Sequence, residues 1–181
     1  MRQKQRWNTY IARTLNHEPR PLLLRALPFV KGNQALDLGA GALNDSRYLL
    51  NQGFSVVAVD GNASILKIRV PVNKVICLFH EFEYPEKTFN LVNAQGSLPF
   101  CHPAHFDAVF QKMFNSLTTD GIFCGQLFGN LDDWSTDSEM TFHSRTEALS
   151  YLSLFDILLF EEKKYTERKG WHLYNIIARK K

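Results

Sequence analysis

Short apolar runs punctuated by Gly, Pro, Asn and Asp set the layout of this chain. Residues 35–38, 54–59, 75–79, 89–95 and 122–128 are compact apolar segments of strand length. Between them lie stretches with helical spacing. Residues 44–52 are amphipathic and stop at Gly53, residues 63–70 stop at Pro71, and residues 105–117 place Phe106, Val109, Phe110, Met113 and Leu117 on one face. Strands alternating with helices predict an α/β fold with a parallel sheet. Ser144 and Glu147 form a capping box before a further short helix. Residues 155–160 and 171–178 close the chain as two strands joined by the charged stretch 161–170.

The first 30 residues differ from the rest. Residues 1–18 are polar and basic, with Trp7, Tyr10, Ile11 and Leu15 at helix-like spacing. They predict a helix that either packs on the domain surface or serves as a lid. Glu18-Pro19-Arg20-Pro21 opens a second short helix through Leu27, because proline suits a first turn. The 181 residues fit one domain, with a helical segment or lid at 1–30 and a core at 34–181.

Chemistry concentrates at residues 34–46. Strand one runs into Gly39, Ala40 and Gly41, followed by Asn44, Asp45 and Ser46, which are helix N-cap residue types. Strand, glycine turn and helix together bring a ligand close to free backbone donors. Asp37 is a carboxylate inside an apolar strand and must be hydrogen-bonded. Asp60 ends strand two, where an acid can accept both hydroxyls of a ribose. Its distance from the glycines suits a nucleoside-binding βαβ unit. The dinucleotide pattern Gly-x-Gly-x-x-Gly fails because Asn44 holds the third glycine position, which points away from a pyrophosphate ligand.

The strings Leu36-Asp37-Leu38-Gly39-Ala40-Gly41 and Val57-Ala58-Val59-Asp60 resemble motifs I and II of the class I S-adenosylmethionine-dependent methyltransferases. With Asn44, Ser46 and Asp60-Gly61-Asn62, the sequence resembles the branch that includes tellurite-resistance methyltransferases. The resemblance runs from about Ala35 to the C-terminus and departs from the family pattern at Leu43, Leu78 and Asn90. It implies a Rossmann-like, doubly wound, mostly parallel seven-stranded sheet with an antiparallel C-terminal strand and helices on both faces. It also implies S-adenosylmethionine as cofactor, with S-adenosylhomocysteine as product. The implied cofactor-binding residues are Arg20, Asp37, Gly39, Ala40, Gly41, Asn44, Ser46, Asp60, Gly61, Asn62, Phe79, Asn93, Ala94 and Gln95. Arg20 would hold the methionine carboxylate or stand solvated at the surface. Asn93, Ala94 and Gln95 end strand four, beside the reacting methyl in this fold. The acid expected near the end of strand three is absent at Leu78 unless Glu81 replaces it. No catalytic base is assigned, and none is needed for a soft nucleophile.

Composition narrows the partners. Hydrophobic content of 45% and charged content of 22% describe an ordinary globular domain. A net charge of +3, with basic runs at Lys163-Lys164, Arg168-Lys169 and Arg179-Lys180-Lys181, is weak support for a nucleic-acid partner, so a small-molecule acceptor ranks first. No apolar run has the length of a membrane span, and the expected place is the cytoplasm. Three widely spaced cysteines predict free thiols, and the six histidines show no metal-ligand spacing. His143 and His172 are candidate bases by position, with structural roles favoured. The alternatives are an inactive methyltransferase-like binding or partner protein, an RNA methyltransferase and, more remotely, a nicotinamide enzyme. Oligomeric state is not readable from the sequence.

Overall fold

The computed structural model describes residues 2–165 and 170–181. A single mixed sheet organises them, with strand order β3-β2-β1-β4-β5-β8-β7. The strands are β1 (Gln34–Leu38), β2 (Ser55–Asp60), β3 (Asn73–Ile76), β4 (Phe89–Ala94), β5 (Leu117–Gly129), β7 (Phe155–Tyr165) and β8 (Trp171–Lys180). An eighth, two-residue strand, β6 (Phe142–His143), pairs in parallel with the end of β5. β1, β2, β3, β4 and β5 pair in parallel, and β8 runs antiparallel to both neighbours. This is the mostly parallel, doubly wound sheet with an antiparallel C-terminal strand that the motifs imply, extended by β6.

Strand alternation supplies each helix layer with its own apolar surface. On one face Leu36, Leu38, Val92 and Ala94 pack against Phe106, Val109, Phe110 and Met113 of α4 (Pro103–Ser116) and Ala148 of α5 (Arg145–Ser150). On the other, Ala35, Leu91, Ile122, Cys124 and Ile177 meet Leu22, Leu23 and Ala26 of α2 (Pro21–Ala26) and Leu49 of α3 (Asn44–Asn51). The capping box of α5 forms as its sequence predicts.

Two elements differ from the pattern. The segment 63–70 forms only a 3-10 turn, Ala63–Lys67, begun by Asn62, whose side chain accepts the Ser64 amide. Strand three starts and stops earlier than its apolar run suggests. β3 is an edge strand, and its pairing with β2 ends at Asp60–Ile76. Cys77, Leu78 and Phe79 then leave the sheet, and Leu78 is 53% exposed.

Candidate functional site

The site is built at the carboxyl ends of β1, β2 and β4, the customary ligand crevice of such a sheet. After β1 the backbone turns left-handed three times, at Gly39 (φ 75°), Gly41 (φ 50°) and Leu43 (φ 58°). The two glycines have different reasons for being glycine. A Cβ on Gly39 would lie 2.2 Å from Cβ of Ser97, so β4's exit loop presses on the turn. A Cβ on Gly41 would meet nothing closer than the Gly39 carbonyl at 3.9 Å, so open space lies over that residue.

Leu43 stands where the resemblance implies a third glycine, and its backbone is left-handed. Its side chain is fully buried among Ile11, Ala42, Ala58, Ile65 and Val70. That burial offsets a backbone cost of about 1–2 kcal/mol. Leu43, rather than Asn44, Asp45 or Ser46, occupies the N-cap of α3, without a side-chain cap. The three polar residues are thereby released for other bonds.

Those bonds join two buried carboxylates. Ser46 Oγ donates to Asp37 Oδ2 at 2.6 Å. Asn93 Nδ2 donates to Asp37 Oδ1 at 2.9 Å and to Asp45 Oδ2 at 3.1 Å. Gln95 Nε2 donates to Asn93 Oδ1 at 2.7 Å, which turns the Gln95 side chain inward. Burial, and then the charge of Asp45, push the Asp37 carboxyl up to about 6 against the opposing bonds from Ser46 and Asn93. Arg20 stands over this network. Its amide donates to Asp45 Oδ1 at 2.8 Å, its guanidinium bonds the Gln95 carbonyl, and Nη2 reaches the Tyr10 hydroxyl at 3.4 Å. Two carboxylates partly offset by one guanidinium make a pocket floor suited to a cation flanked by an anion.

Asp60 stands at the end of β2. Its Oδ2 accepts the Gly41 amide and its Oδ1 the Asn62 amide, both at 2.8 Å. Burial raises its proton affinity, and those two amides work against the rise. Gly61 lies beneath Leu78, since a Cβ there would be 3.2 Å from Leu78 Cδ2. Phe79 reaches across to Gly39, its ring edge 3.4 Å from where a Cβ would be. Ala94 is buried in the core beneath the crevice. Glu81 does not extend toward the crevice, because its Oε2 accepts the Leu78 amide at 2.8 Å. Asn90 serves the other end of the strand, accepting the Gln34 amide at 3.0 Å.

Helix α1 (Arg2–Thr14) touches the start of α3, the turn after β2 and the turn after β4. Asn44 Nδ2 bonds the Thr14 carbonyl at 2.7 Å, Asn62 Nδ2 bonds Asn8 Oδ1 at 2.8 Å, and Trp7 packs on Phe100 at 4.6 Å. The helix is therefore packed on the domain surface. Tyr10, Asp45 and Ser97 join the site although the sequence marks none of them as a binding residue.

Both candidate bases are buried, and His143 Nε2 has no hydrogen-bond partner among the described residues. His172 Nδ1 accepts the Leu131 amide at 3.1 Å and Nε2 faces Glu162 at 3.0 Å, so the ring pins a loop. His143 is buried between Phe106 and Tyr151, and desolvation lowers its affinity for a proton. Among the described residues no group of three or more His, Cys, Asp or Glu is placed to hold a metal ion, and no helix is long and apolar enough to cross a membrane. All three cysteines are free thiols. The Arg168-Lys169 part of the basic C-terminal region lies outside the described residues.

Comparison with known proteins agrees with this fold. A family model described as a methyltransferase domain matches residues 36–125. No curated protein matches the chain by sequence. Among solved structures, 1,6-didemethyltoxoflavin-N1-methyltransferase of Burkholderia thailandensis, crystallised with 1,6-didemethyltoxoflavin and S-adenosylhomocysteine, superposes with a TM-score of 0.67. It is 23% identical over 89% of this chain and 77% of that one. An S-adenosylmethionine-dependent methyltransferase of Mesorhizobium loti gives 0.71 at 17% identity, over 88% of this chain and 96% of its own. TehB of Haemophilus influenzae gives 0.73 at 16% identity, over 88% and 61%. The fold is that of the S-adenosylmethionine-dependent methyltransferases.

Proposed function

We propose that this chain, whose residues 36–125 match a methyltransferase domain, is an S-adenosylmethionine-dependent methyltransferase acting on a small-molecule acceptor. The observation that carries the proposal is the carboxylate of Asp60 held by the Gly41 and Asn62 amides beside a left-handed glycine turn. Each of its oxygens keeps a further lone pair for a ribose hydroxyl.

The residues present fit the cofactor. The open space over Gly41 lets a ligand reach the main chain. Leu78 and Phe79 offer an apolar seat for a base. Asp37 and Asp45 supply the negative field for an ammonium, and Arg20 has the fork geometry for a carboxylate. The cofactor supplies an electrophilic methyl on a sulfonium with a neutral leaving group. The chain's own work is alignment and exclusion of water, a contribution that reaches about 7–11 kcal/mol in favourable cases. We assign the second task to helix α1 as a lid, and the inward-turned Gln95 keeps the end of β4 rigid.

The small-molecule acceptor is supported by the 1,6-didemethyltoxoflavin bound in the Burkholderia neighbour. Asn44, Ser46 and Asp60-Gly61-Asn62 support a place near the tellurite-resistance methyltransferases. The cytoplasm is the proposed location. Release of S-adenosylhomocysteine, measured with a panel of thiol, oxyanion and amine acceptors, tests the enzyme. No release above background with any of them would favour a cofactor-binding sensor or partner protein.

A further inference from the structure

His172 lies near the start of β8, only 2% exposed, with its ring seated against the end of β5. A Cβ on Gly129 would be 2.0 Å from its Nδ1. Nδ1 accepts the Leu131 amide at 3.1 Å, and Nε2 lies 3.0 Å from Glu162 Oε1. A ring nitrogen that accepts an amide bond carries no proton, and one that meets a carboxylate carries one. The two partners therefore set the ring as the neutral tautomer with its proton on Nε2. Lys164, the His172 ring itself and Arg145 hold the Glu162 carboxyl below its ordinary range, so it serves as an acceptor only.

The Leu131 bond belongs to a group that fastens the loop after β5 to the start of β8. Asp132 Oδ2 accepts the His172 amide and its Oδ1 the Trp134 amide, both at 3.0 Å. Asp133 Oδ2 accepts the Gly170 amide at 2.8 Å, and the Asp133 amide donates to the Gly170 carbonyl at 3.0 Å. The same loop packs Trp134 against Phe100 and Phe128, at the ends of β4 and β5. Among these bonds only the one from Leu131 ends on an imidazole, the side chain that changes charge nearest neutral pH.

We propose that His172 is a pH-sensitive latch on residues 130–134, which loosens the loop as pH falls by taking a proton from solvent onto Nδ1. Nδ1–H then faces the Leu131 N–H, donor against donor, and a sheltered amide loses its partner. The imidazolium keeps its Nε2 bond and gains an ion pair with Glu162, so the ring stays with β7 while its hold on the loop is lost. The surrounding charges act in both directions. Glu162 on β7 and Asp132 in the loop favour the imidazolium, whereas Lys164 on β7 and Arg145 on α5, both bound to Glu162, oppose it. Tyr174 on β8, 5.1 Å from the ring, is kept neutral by burial. The latch is a property of the fold and stands apart from the methyltransferase reading.

Hydrogen exchange of the Leu131 amide in the full chain reads the latch, expressed as a protection factor so that the intrinsic pH dependence of exchange drops out. Nitrogen-15 NMR of the His172 ring reports its tautomer and its protonation. From about pH 7.5 to about pH 5.5, Leu131 protection is expected to fall about tenfold or more in step with the His172 titration, while amides of β1 lose none. His172→Asn sets an amide oxygen near the Nδ1 position and takes up no proton, so its Leu131 protection should stay level over the same range. Glu162→Gln removes the counter-charge and should move the fall to lower pH. The proposal is overturned by level Leu131 protection while His172 titrates, by a ring with its proton on Nδ1 at the higher pH, by a His172 that takes up no proton, or by an equal fall in His172→Asn. The two measurements on the parent decide the question even where His172→Asn does not fold.

Discussion

The Gly41 amide donates to Asp60 Oδ2 across 19 positions of sequence at 2.8 Å, tying the glycine turn after β1 to the end of β2. The bond orients the carboxylate and sets the turn in one step. Asp60→Ala should therefore lose the charge-assisted bonds to a ribose, worth about 1.5–3 kcal/mol, or roughly 10- to 150-fold in affinity. Calorimetry with S-adenosylhomocysteine measures it, and an unchanged affinity would remove Asp60 from the site.

Gly41→Ala separates strain from ligand contact. At φ 50° the alanine costs about 1 kcal/mol of stability, yet its Cβ meets nothing closer than the Gly39 carbonyl at 3.9 Å. Denaturant titration should show only this small loss, while cofactor affinity falls by more. A variant that binds as the parent does would show that the ligand stays clear of this backbone.

Leu43→Gly sets two effects against each other. Restoring the family's glycine relieves about 1–2 kcal/mol of left-handed strain. It also empties a fully buried side-chain site, and the comparable Leu→Ala change costs about 2–5 kcal/mol. Net destabilisation is expected by chemical denaturation. A stabilised variant would mean that the α1 packing around Leu43 contributes little.

Asp37 gives a signed pH dependence. Its folded-state pKa, about 6, is raised above the ordinary value of 3.8, so its contribution is fully present below the lower value and is lost as pH rises through the higher. Between pH 7 and pH 5 the native state takes up the proton and gains about 1 kcal/mol from this group. Asp37→Asn can keep both network bonds, because the Ser46 hydroxyl can accept as well as donate. The difference in stability between parent and variant should therefore change by that amount over this window. A pH-independent difference contradicts the assignment.

Arg20→Gln tests which part of a ligand Arg20 meets. Affinity for S-adenosylhomocysteine should drop about tenfold or more, while 5′-methylthioadenosine, which lacks the amino-acid tail, should bind as before. Equal losses for both ligands would mean that Arg20 only supports the fold.

Much of this organisation was legible in the sequence where one segment decides its own structure. β1, β2 and β4 announce themselves as apolar runs, and Ser144 with Glu147 marks the start of α5 by local bonds alone. Positions decided by distant partners were not legible. Phe79 looks like strand because it is apolar, but β2 ends beside Ile76 and leaves it nothing to pair with. Asn44, Asp45 and Ser46 look like caps, yet buried packing sends Leu43 into that place and turns the three toward Thr14, Arg20, Asn93 and Asp37. Trp7, Phe100, Phe128 and Trp134 come from four separate segments, and only the packing of α1 and the end of β5 bring them together.

The central claim is the identity of the cofactor, and calorimetric titration with S-adenosylmethionine, S-adenosylhomocysteine and NADH tests it most directly. Micromolar binding of the first two with none of the third is the predicted result. Binding of NADH, or of neither S-adenosyl compound, would contradict it.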